Sequence, residues 1–422
     1  MKDLNYDAVV IGGGAAGMAA ALELDRAGFS CALIEREEQL GGILIQCIHN
    51  GFGLHEFGEE LTGPEFAERL EAKIRSSAVA VYLGTTVCSF HAAGPGDAEE
   101  ACKELFCASP ALGMLRIRAR AVVLAMGCRE RNRGNVRIPG ARPAGVYTAG
   151  LAQRLVNIEG YIPGREAVII GSGDIGLIMA RRMSWVGCTV RAVVEIMPYP
   201  AGLTRNIVQC LHDFDIPLYL SSQTTNIFGN DRVEGIEVTP MENGALVPEK
   251  AFRIDCDTVL LSVGLVPENE LSKAAGVELN GTTNGPVVDS SLMTSLDGVF
   301  ACGNVLHVHD LVDWVAEEAR RAGQHAVLWL RGEHPCSQVQ VKAGSNVRYV
   351  NPGKLNALAD NKIYLRSLIV KNDAVLEVRL DRKIIKSVKK NHVQPSEMIT
   401  FNLGKTELAG ASAASVLEFA IV

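Results

Sequence analysis

Two segments of the chain share one order of apolar and polar positions. Residues 7–36, DAVVIGGGAAGMAAALELDRAGFSCALIER, read as a short apolar strand, a glycine turn, an amphipathic helix and a second strand that ends in an acid. The same order returns at 167–195, AVIIGSGDIGLIMARRMSWVGCTVRAVVE. Each segment therefore predicts a βαβ unit of the kind that binds a dinucleotide.

The first unit carries its glycines at the spacing that dinucleotide binding requires. Gly12 makes the tight turn, Gly14 lets the backbone approach a pyrophosphate at the helix N-terminus, and Gly17 lets helix and strand pack closely. Glu35 ends the second strand, where its carboxylate can accept hydrogen bonds from a ribose. Because a strand, a helix and an acid accompany the glycines, the motif is more specific than a glycine triplet alone.

The second unit predicts another dinucleotide site and a preference within it. Its glycines and terminal acid are Gly171, Gly173, Gly176 and Glu195. An acid at this position receives the 2′-hydroxyl of NAD and repels the 2′-phosphate of NADP, so NAD(H) is favoured and NADP is disfavoured. Arg191 and Arg205 could approach the ribose, although each is better explained as a solvated surface cation.

Three further apolar strands end at glycine turns. The first passes Gly127 into an Arg- and Pro-rich stretch that is typical of a domain crossover. The second, DTVLLSVGLVPENE, closes the second βαβ unit. The third, at 298–302, stops at Gly303 and Asn304, and the pattern predicts a helix from near Asp310.

From about Gln338 the pattern changes to alternating or β-branched runs separated by Asn, Asp, Gly and Pro turns, which predicts a small all-β domain. This tail carries 13 Lys and Arg against 7 Asp and Glu, hence net +6. A basic module of this kind can guide docking to an acidic partner. The alternative is that its lysines protect an exposed strand edge from aggregation. The lysines concerned are Lys383, Lys386, Lys389 and Lys390.

Composition narrows the class of protein. The formal net charge of -7 over 422 residues argues against nucleic acid as the main partner, because phosphate binding needs a basic surface. No secretory leader is visible, and no window of about twenty apolar residues lacks glycine or charge, so we expect a cytoplasmic protein without a membrane span. The 11 cysteines form no Cys-x-x-Cys pair, which argues against a disulfide framework or an iron–sulfur site in this chain.

In this order, these βαβ units and glycine-ended strands resemble the two-dinucleotide-binding-domain flavoproteins of the glutathione-reductase-like family, over about residues 5–335. The resemblance implies an α/β fold with two Rossmann-like FAD/NAD(P)-binding domains, here followed by the small C-terminal all-β domain. It also implies FAD at the first glycine site and the nicotinamide at the second. The further FAD-binding positions implied are Gly42, Gly127, Gly303 and Asn304, the last standing where the family usually carries Asp.

The resemblance also predicts the domain limits. We expect a discontinuous FAD-binding domain at 1–145 and 286–336, an NAD(P)-binding domain at 146–285, and a C-terminal β-rich domain at 337–422. The two dinucleotide-binding domains would then be separate bodies along the chain.

Disulfide reductases of this family carry two cysteines five positions apart after the first acid. The matching positions here are Leu44 and His49, so a redox disulfide is not expected. Cys47 is left as either a lone thiol that cycles through sulfenic acid or a buried thiol beside the flavin. The buried reading is favoured, because no local cation or second cysteine is evident in the sequence.

A narrower resemblance concerns partners. LGGILIQCIHNGFGLHEFGEELTGPEFAERL and GVFACGNVLHVHDLVDWVAEE are similar to flavoprotein subunits of the opine oxidase, hydrogen cyanide synthase, sarcosine oxidase and anaerobic-type glycerol-3-phosphate dehydrogenase systems. In those systems the FAD subunit works beside a second flavoprotein that oxidises the substrate, and several members carry an iron–sulfur cluster. The resemblance implies an oligomer, a second flavoprotein subunit, an iron–sulfur protein as a further candidate partner, and a small-molecule substrate.

Histidines near these motifs are candidates for handling protons or tuning the flavin. His49 ranks first, with Asn50 and His55 close to it, and His307 comes second together with His309. With the lone thiol included, the catalytic candidates are Cys47, His49 and His307.

No metal site is predicted. His307, His309, Asp310 and Asp313 contain ligand-type side chains, but their spacing fits no established zinc pattern. At the start of a helix, the two acids are better explained as N-terminal caps.

The leading hypothesis is an FAD-dependent, NAD(H)-linked oxidoreductase that passes electrons between nicotinamide, its flavin and a partner flavoprotein or small acceptor. Its expected system is a glycerol-3-phosphate or amine/amino-acid-type dehydrogenase. Two alternatives stay open: an autonomous NADH oxidase or peroxidase that uses Cys47, and a non-catalytic flavin-binding assembly subunit.

Overall fold

The first apolar run of the chain forms the middle of a mostly parallel sheet. The computed structural model of the protein describes residues 1–91, 102–333 and 338–422. The strand Lys2–Ile11 pairs in parallel with Cys31–Ile34 on one side and with Gly113–Leu124 on the other. Val9 and Val10 have no exposed surface, as expected for a strand that is covered on both faces.

The chain divides into two compact units, Met1–Cys128 with Pro267–Val422, and Arg129–Val266. Within the described residues, the main sheet of the first unit has seven strands. These are Lys2–Ile11, Cys31–Ile34, Ala80–Tyr82, Thr86–His91, Lys103–Ser109, Gly113–Leu124 and Val299–Ala301. The last of them pairs in parallel with Gly113–Leu124, so the chain returns to this sheet after it has formed the second unit.

Helices of the first unit pack beside this sheet. They are Ala15–Arg26, Gly63–Arg75, Glu270–Ala274 and Val312–Leu330, with 3₁₀ turns at Gly42–Gln46 and Gly303–Val305 and a hairpin of Asn50–Phe52 with Leu61–Thr62. Gly323 lets Val312–Leu330 approach Ala15–Arg26 closely, because a Cβ there would lie 2.7 Å from the Ala20 carbonyl oxygen. These two helices bring the glycine turn and the 303–318 segment together.

The second unit repeats the parallel arrangement on a smaller scale. Its five-stranded sheet has the spatial order Val146–Thr148, Thr258–Leu261, Glu166–Ile170, Thr189–Val194, Leu218–Tyr219. An antiparallel sheet contains Ser222–Phe228, Gly235–Glu242, Ala245–Leu246 and Phe252–Asp255. The helices are Arg133–Val136, Ala149–Asn157, Asp174–Trp185 and Thr204–Cys210, with 3₁₀ turns at His212–Phe214 and Pro248–Lys250. Two short strands, Cys128–Glu130 and Leu265–Pro267, contain the points where the chain passes between the units.

The basic tail forms a β domain within the first unit. One sheet has the spatial order Lys354–Asn356, Gln338–Ala343, Val416–Ile421, Lys371–Leu380, Lys383–Val393, and the other Val347–Asn351, Asn361–Ser367, Met398–Leu403. Ile363, Leu365 and Phe419 are fully buried in its core. The lysine-rich strand Lys383–Val393 stands at the end of its sheet as described, where lysines oppose edge-to-edge pairing.

The predicted fold class is confirmed: two Rossmann-like parallel sheets are followed by an all-β C-terminal domain. The limits 1–145 with 286–336, 146–285 and 337–422 stay a prediction. In the described ranges, no helix combines the length and the apolarity needed to cross a membrane.

Candidate functional site

The first glycine turn has a geometry suited to a pyrophosphate. Gly12 has a φ of +106°, and a Cβ there would lie 2.4 Å from the Ala125 carbonyl oxygen. A Cβ on Gly17 would lie 1.7 Å from the Gly12 oxygen, so the helix and the turn are in direct contact. Gly14, at the N-terminus of helix Ala15–Arg26, has nothing within 4 Å of its Cβ position. A ligand can therefore approach the helix N-terminus over this glycine.

Glu35 closes the same turn from the neighbouring strand. Its Oε2 accepts a hydrogen bond from the Gly13 backbone amide at 2.6 Å, and its Oε1 accepts one from the Glu37 amide at 2.8 Å. The residue is buried, with 6% of its surface exposed. The carboxylate is thus fixed beside the glycine turn, as a ribose acceptor must be.

The other residues predicted to hold FAD lie around this turn or next to it. A Cβ added to Gly42 would lie 3.2 Å from the Gly14 Cα, so Gly42 lies over Gly14. A Cβ added to Gly303 would lie 2.9 Å from the Ala16 Cβ. Asn304 directs its Nδ2 toward the Cys128 sulfur at 3.6 Å. Gly127, next to that cysteine, accepts a hydrogen bond from the Glu268 amide at 3.0 Å. The fold therefore collects residues from four separate parts of the sequence at one place.

The second glycine turn repeats the first. Gly171 has a φ of +94°, and a Cβ on Gly176 would lie 2.8 Å from its carbonyl oxygen. The Glu195 Oε2 accepts hydrogen bonds from the Ser172 amide at 2.8 Å and the Ser172 hydroxyl at 2.6 Å, and its Oε1 accepts one from the Met197 amide at 2.9 Å. Glu195 therefore holds its turn as Glu35 does. Gly173 is the residue before helix Asp174–Trp185, matching Gly14.

Cys47 lies in a poor environment for a reactive thiol. Its exposed fraction is 9%, its Sγ donates to the Ile43 carbonyl oxygen at 3.3 Å, and its own carbonyl accepts the Gly63 amide at 2.9 Å. Burial raises the pKa of the Cys47 thiol to about 12. A thiol with that pKa is almost entirely protonated at neutral pH, which supports the buried-thiol reading.

The loop after Cys47 places the first-ranked histidine near the surface. His49 is half-buried, its Nδ1 is 3.0 Å from the Asn50 carbonyl oxygen, and its ring lies 5.0 Å from that of Phe52. His55 is exposed and stacks on Trp314 with ring centroids 4.8 Å apart. A catalytic role for His49 stays a prediction.

His307 and His309 are instead buried together on one carboxylate. Glu318, from helix Val312–Leu330, has its Oε1 3.0 Å from His307 Nε2 and its Oε2 3.1 Å from His309 Nε2. The same Oε2 accepts the Gly303 backbone amide at 2.7 Å. One carboxylate therefore connects both histidines to the turn that carries Gly303 and Asn304.

The electrostatics of this cluster keep the carboxylate ionised. Burial alone would raise the pKa of Glu318, but the adjacent His309 and His307 outweigh burial and hold that pKa far below its usual range. Burial and the neighbouring His309 lower the pKa of His307. Although the three groups are near enough to take a metal ion together, direct hydrogen bonds already satisfy both carboxylate oxygens.

The capping interpretation of the two nearby acids was wrong. Asp313 accepts hydrogen bonds from three backbone amides of the loop 53–56, at 2.9 to 3.1 Å. Asp310 pairs with Arg366 of the C-terminal β domain. Neither side chain caps helix Val312–Leu330, because each is engaged by a segment that is remote in sequence. Asp313 thus anchors the loop after Cys47 to this helix.

Glu318 was not predicted as a site residue. Its neighbour Glu317 is partly exposed and pairs with Lys362 at 3.0 Å, and the sequence alone does not say which of the two acids turns inward. The available signal is helical phase, since Glu318 borders the buried small-residue face of Ala319 and Ala322.

Two glycine turns, each closed by a buried acid and each placed before a helix, are the geometry typical of proteins that bind two dinucleotides in separate Rossmann units. Residues 6–327 match the family model described as pyridine nucleotide-disulphide oxidoreductase, and the chain belongs to that family. That family is FAD- and NAD(P)-dependent.

Relatives include components of larger enzymes. The chain is 24% identical over 324 residues to one of the subunits of the opine oxidase of Rhizobium meliloti, which covers 71% of this chain and 58% of that protein. It is 27% identical over 354 residues to the glutamate synthase (NADPH) small chain of Mycobacterium tuberculosis, with 76% and 66% covered. The chain therefore spans less than two thirds of the length of each of these relatives.

A solved structure shows the same fold. Thioredoxin reductase of T. acidophilum matches 78% of this chain and 98% of its own, with a TM-score of 0.61 and 24% identity. At that identity the likeness concerns the fold alone.

Proposed function

We propose that this chain passes electrons between NAD(H), a bound FAD and a second flavoprotein or small acceptor. The observation that carries the proposal is the repeated closure of a glycine turn by a buried acid, by Glu35 in the first unit and by Glu195 in the second. FAD supplies the redox chemistry when bound, and the protein supplies binding, orientation and electrostatics. Two complete turns of this kind suit a flavin and a nicotinamide in one chain.

A preference for NAD(H) over NADP(H) is part of the proposal. The Glu195 carboxylate would accept ribose hydroxyls and repel a 2′-phosphate. Arg191 pairs with Glu166 at 2.6 Å, which supports its reading as a surface cation, and Arg205 is exposed. Neither arginine is held beside Glu195 by a hydrogen bond in the described structure.

We separate this chain from disulfide reductases on the basis of two sequence positions. Leu44 and His49 occupy the positions where those enzymes carry their pair. Burial of Cys47 also makes an oxidase or peroxidase that depends on this thiol the weaker alternative. Electrons would therefore leave the flavin for an external acceptor.

The partner in this proposal is a second flavoprotein, with an iron–sulfur protein as a further component. Support comes from relatives that are themselves parts of multi-protein enzymes, such as the opine oxidase component of Rhizobium meliloti. The system we favour oxidises glycerol-3-phosphate or an amine or amino acid, and this chain receives or delivers the electrons as NAD(H).

An anaerobic titration of the purified protein tests the proposal. After reconstitution with FAD, the visible flavin absorbance should be bleached faster by NADH than by NADPH. Reduced protein should then be reoxidised rapidly by a dye acceptor and slowly by oxidised glutathione. Protein that stays colourless after reconstitution would contradict the proposal, and rapid reoxidation by the disulfide would place the chain among the disulfide reductases.

Calorimetric titration with NADH separates the proposal from the non-catalytic alternative. If the second glycine turn no longer binds a nicotinamide, the protein should show neither NADH binding nor flavin reduction. Binding together with bleaching requires a working nicotinamide site.

A further inference from the structure

The turn formed by Gly303 and Asn304 is held by a closed ring of hydrogen bonds. The Gly303 amide donates to Glu318, and Asn304 Oδ1 accepts the His309 backbone amide at 3.0 Å. The His309 ring returns to Glu318 at 3.1 Å. The conformation of this turn therefore depends on where His309 and Glu318 are held.

The C-terminal β domain covers this ring. Tyr349 and Tyr364 come from its strands Val347–Asn351 and Asn361–Ser367, and both are buried. The Tyr349 hydroxyl is 3.5 Å from His307 Nδ1, and the Tyr364 ring centroid lies 5.3 Å from that of His307 and 5.5 Å from that of His309. These aromatic rings keep water from competing for the hydrogen bonds of the cluster.

Arg366 attaches the same domain to the loop that carries the histidines. Its Nη2 donates to the Val308 carbonyl oxygen at 3.0 Å and pairs with Asp310, and its Nη1 donates to the Ser396 carbonyl oxygen at 2.5 Å. Asp310 also accepts the Met398 amide at 2.6 Å. Two segments of the β domain thus hold residues 308–310 from outside the dinucleotide-binding sheet.

We propose that the C-terminal β domain is a positioning element of the FAD site, which acts through Arg366 and Glu318 to fix the Gly303–Asn304 turn. The inference rests on the proposed function, since it takes this turn to contact FAD. A carboxylate can direct three donors only while both imidazoles are themselves held in place. The β domain holds them, and an altered domain therefore changes flavin binding through the ring of hydrogen bonds.

The first test compares two adjacent acids on one helix. Glu318→Gln keeps the size of the side chain but leaves one acceptor oxygen for three donors, so the FAD dissociation constant should rise about tenfold or more. Glu317→Gln removes a charge that pairs with Lys362 of the β domain but has no bond to Gly303. This control should bind FAD within about twofold of wild type, because the Glu317–Lys362 pair is partly exposed and makes no bond to the Gly303–Asn304 turn.

The second test starts from the β domain. Arg366→Met removes the bonds to Val308 and Asp310 while keeping a long side chain, and it should weaken FAD binding in the same direction. Arg379→Met is the control, because Arg379 pairs with Glu377 and Glu418 inside the β domain. Visible circular dichroism of bound flavin, which reports the orientation of the ring, should change in Glu318→Gln and Arg366→Met and stay as in wild type in both controls. A loss of global stability alone would not produce that spectral change.

Hydrogen–deuterium exchange on the protein without FAD gives a readout that needs no cofactor. Exchange in the peptide around 303–311 should be faster in Glu318→Gln and Arg366→Met than in the controls. Wild-type protein that binds FAD, together with Glu318→Gln or Arg366→Met that binds it equally well, overturns the inference and leaves the proposed function intact. Wild-type protein that binds no FAD overturns the proposed function and the flavin role of this turn with it, while the exchange data still decide whether the domain holds the turn.

Metal analysis of the purified protein completes the design. Stoichiometric zinc that is lost in Glu318→Gln but kept in Glu317→Gln would show that this cluster is a metal centre and not a ring of hydrogen bonds, and it would overturn the inference. If Glu318→Gln does not fold, as judged by far-ultraviolet circular dichroism, Arg366→Met and its control decide the question.

Discussion

The Glu195 carboxylate accepts a hydrogen bond from the Ser172 backbone amide at 2.8 Å, and the Ser172 hydroxyl donates another to the same oxygen. The acid that closes the second glycine turn is therefore held in the position from which it would read the nicotinamide dinucleotide. This carboxylate would therefore have two functions, closing the glycine turn and selecting the nicotinamide dinucleotide, and mutation can separate their effects.

Glu195→Gln should reduce discrimination between NADH and NADPH. The change removes the negative charge that repels a 2′-phosphate and weakens charged hydrogen bonds to the ribose, an effect of about 1–3 kcal/mol. The ratio of kcat/KM for NADH to that for NADPH measures it, and Glu166→Gln on the same sheet is the control. Flavin content should not change, and loss of FAD from Glu195→Gln would mean that the two dinucleotide sites have been exchanged in our assignment.

Glu35→Gln should have the reciprocal effect. Glu35 closes the first turn through the Gly13 amide, so its loss should lower FAD occupancy while the NADH to NADPH ratio of the remaining holoenzyme stays constant. Flavin stoichiometry after gel filtration, compared between Glu35→Gln and Glu195→Gln, is the measurement. A change in nicotinamide preference without loss of flavin would count against the assignment.

Cys47→Ser should leave electron transfer intact. The thiol is buried and its pKa is raised to about 12, so it is not available as a thiolate at neutral pH. NADH reduction of the flavin and any peroxide turnover should match wild type. Abolished peroxide turnover with normal flavin reduction would instead support the peroxidase alternative. Cys88→Ser, at an exposed cysteine, controls for loss of a thiol.

Low pH should decrease the free energy of unfolding through His307 and Glu318. The pKa of His307 is lowered below its usual 6.5, so as pH falls through that value the unfolded chain takes up a proton more readily and stability declines. The pKa of Glu318 is held below its usual 4.5, so its contribution is present above that value and is lost as pH falls further. Melting temperatures from neutral to acid pH should decrease accordingly.

The same melts should identify the role of Glu318 in acid. Glu318→Gln should cost about 3 kcal/mol of unfolding free energy at neutral pH, in the range for breaking a buried ionic contact. The difference from wild type should shrink below the ordinary pKa of a glutamate, because the unfolded wild-type chain then binds a proton at Glu318 while the folded protein keeps the carboxylate ionised, so the stabilising contribution of that charge is lost. A difference that widens in acid would contradict the ionised state assigned to Glu318.

The sequence predicted what is local and missed what depends on remote packing. Gly12 and Glu35 belong to one βαβ unit, whose strand, turn and helix can be read from a single short segment. Asp313 was predicted to be a helix cap because it lies at the start of a helix. Its actual partners at 53–56 are far away in the chain, so the sequence carries no sign of them. No periodicity signals a contact of that kind.

The C-terminal domain shows a second limit of pattern reading. Strands Lys371–Leu380 and Lys383–Val393 are joined by Asp381 and Arg382, both with positive φ, at 47° and 74°. Hairpin turns with this backbone are usually marked by Asn-Gly or Asp-Gly, so the run AVLEVRLDRKIIKSVKK carries no clear turn signal between its strands. The all-β class was nevertheless predictable, because apolar positions alternate with polar ones on both sides of the turn.

The return of Val299–Ala301 to the strand Gly113–Leu124 has a consequence for biosynthesis. On the ribosome, Arg129–Val266 is fully synthesised before the strand that completes the sheet of the first unit has emerged. Until then, the strand Gly113–Leu124 lacks one of its pairing partners, and unpaired strand edges are prone to mispairing. We therefore expect the inserted unit to fold first on the nascent chain, and translation past Val299 to be the step that makes the outer unit resistant to proteolysis.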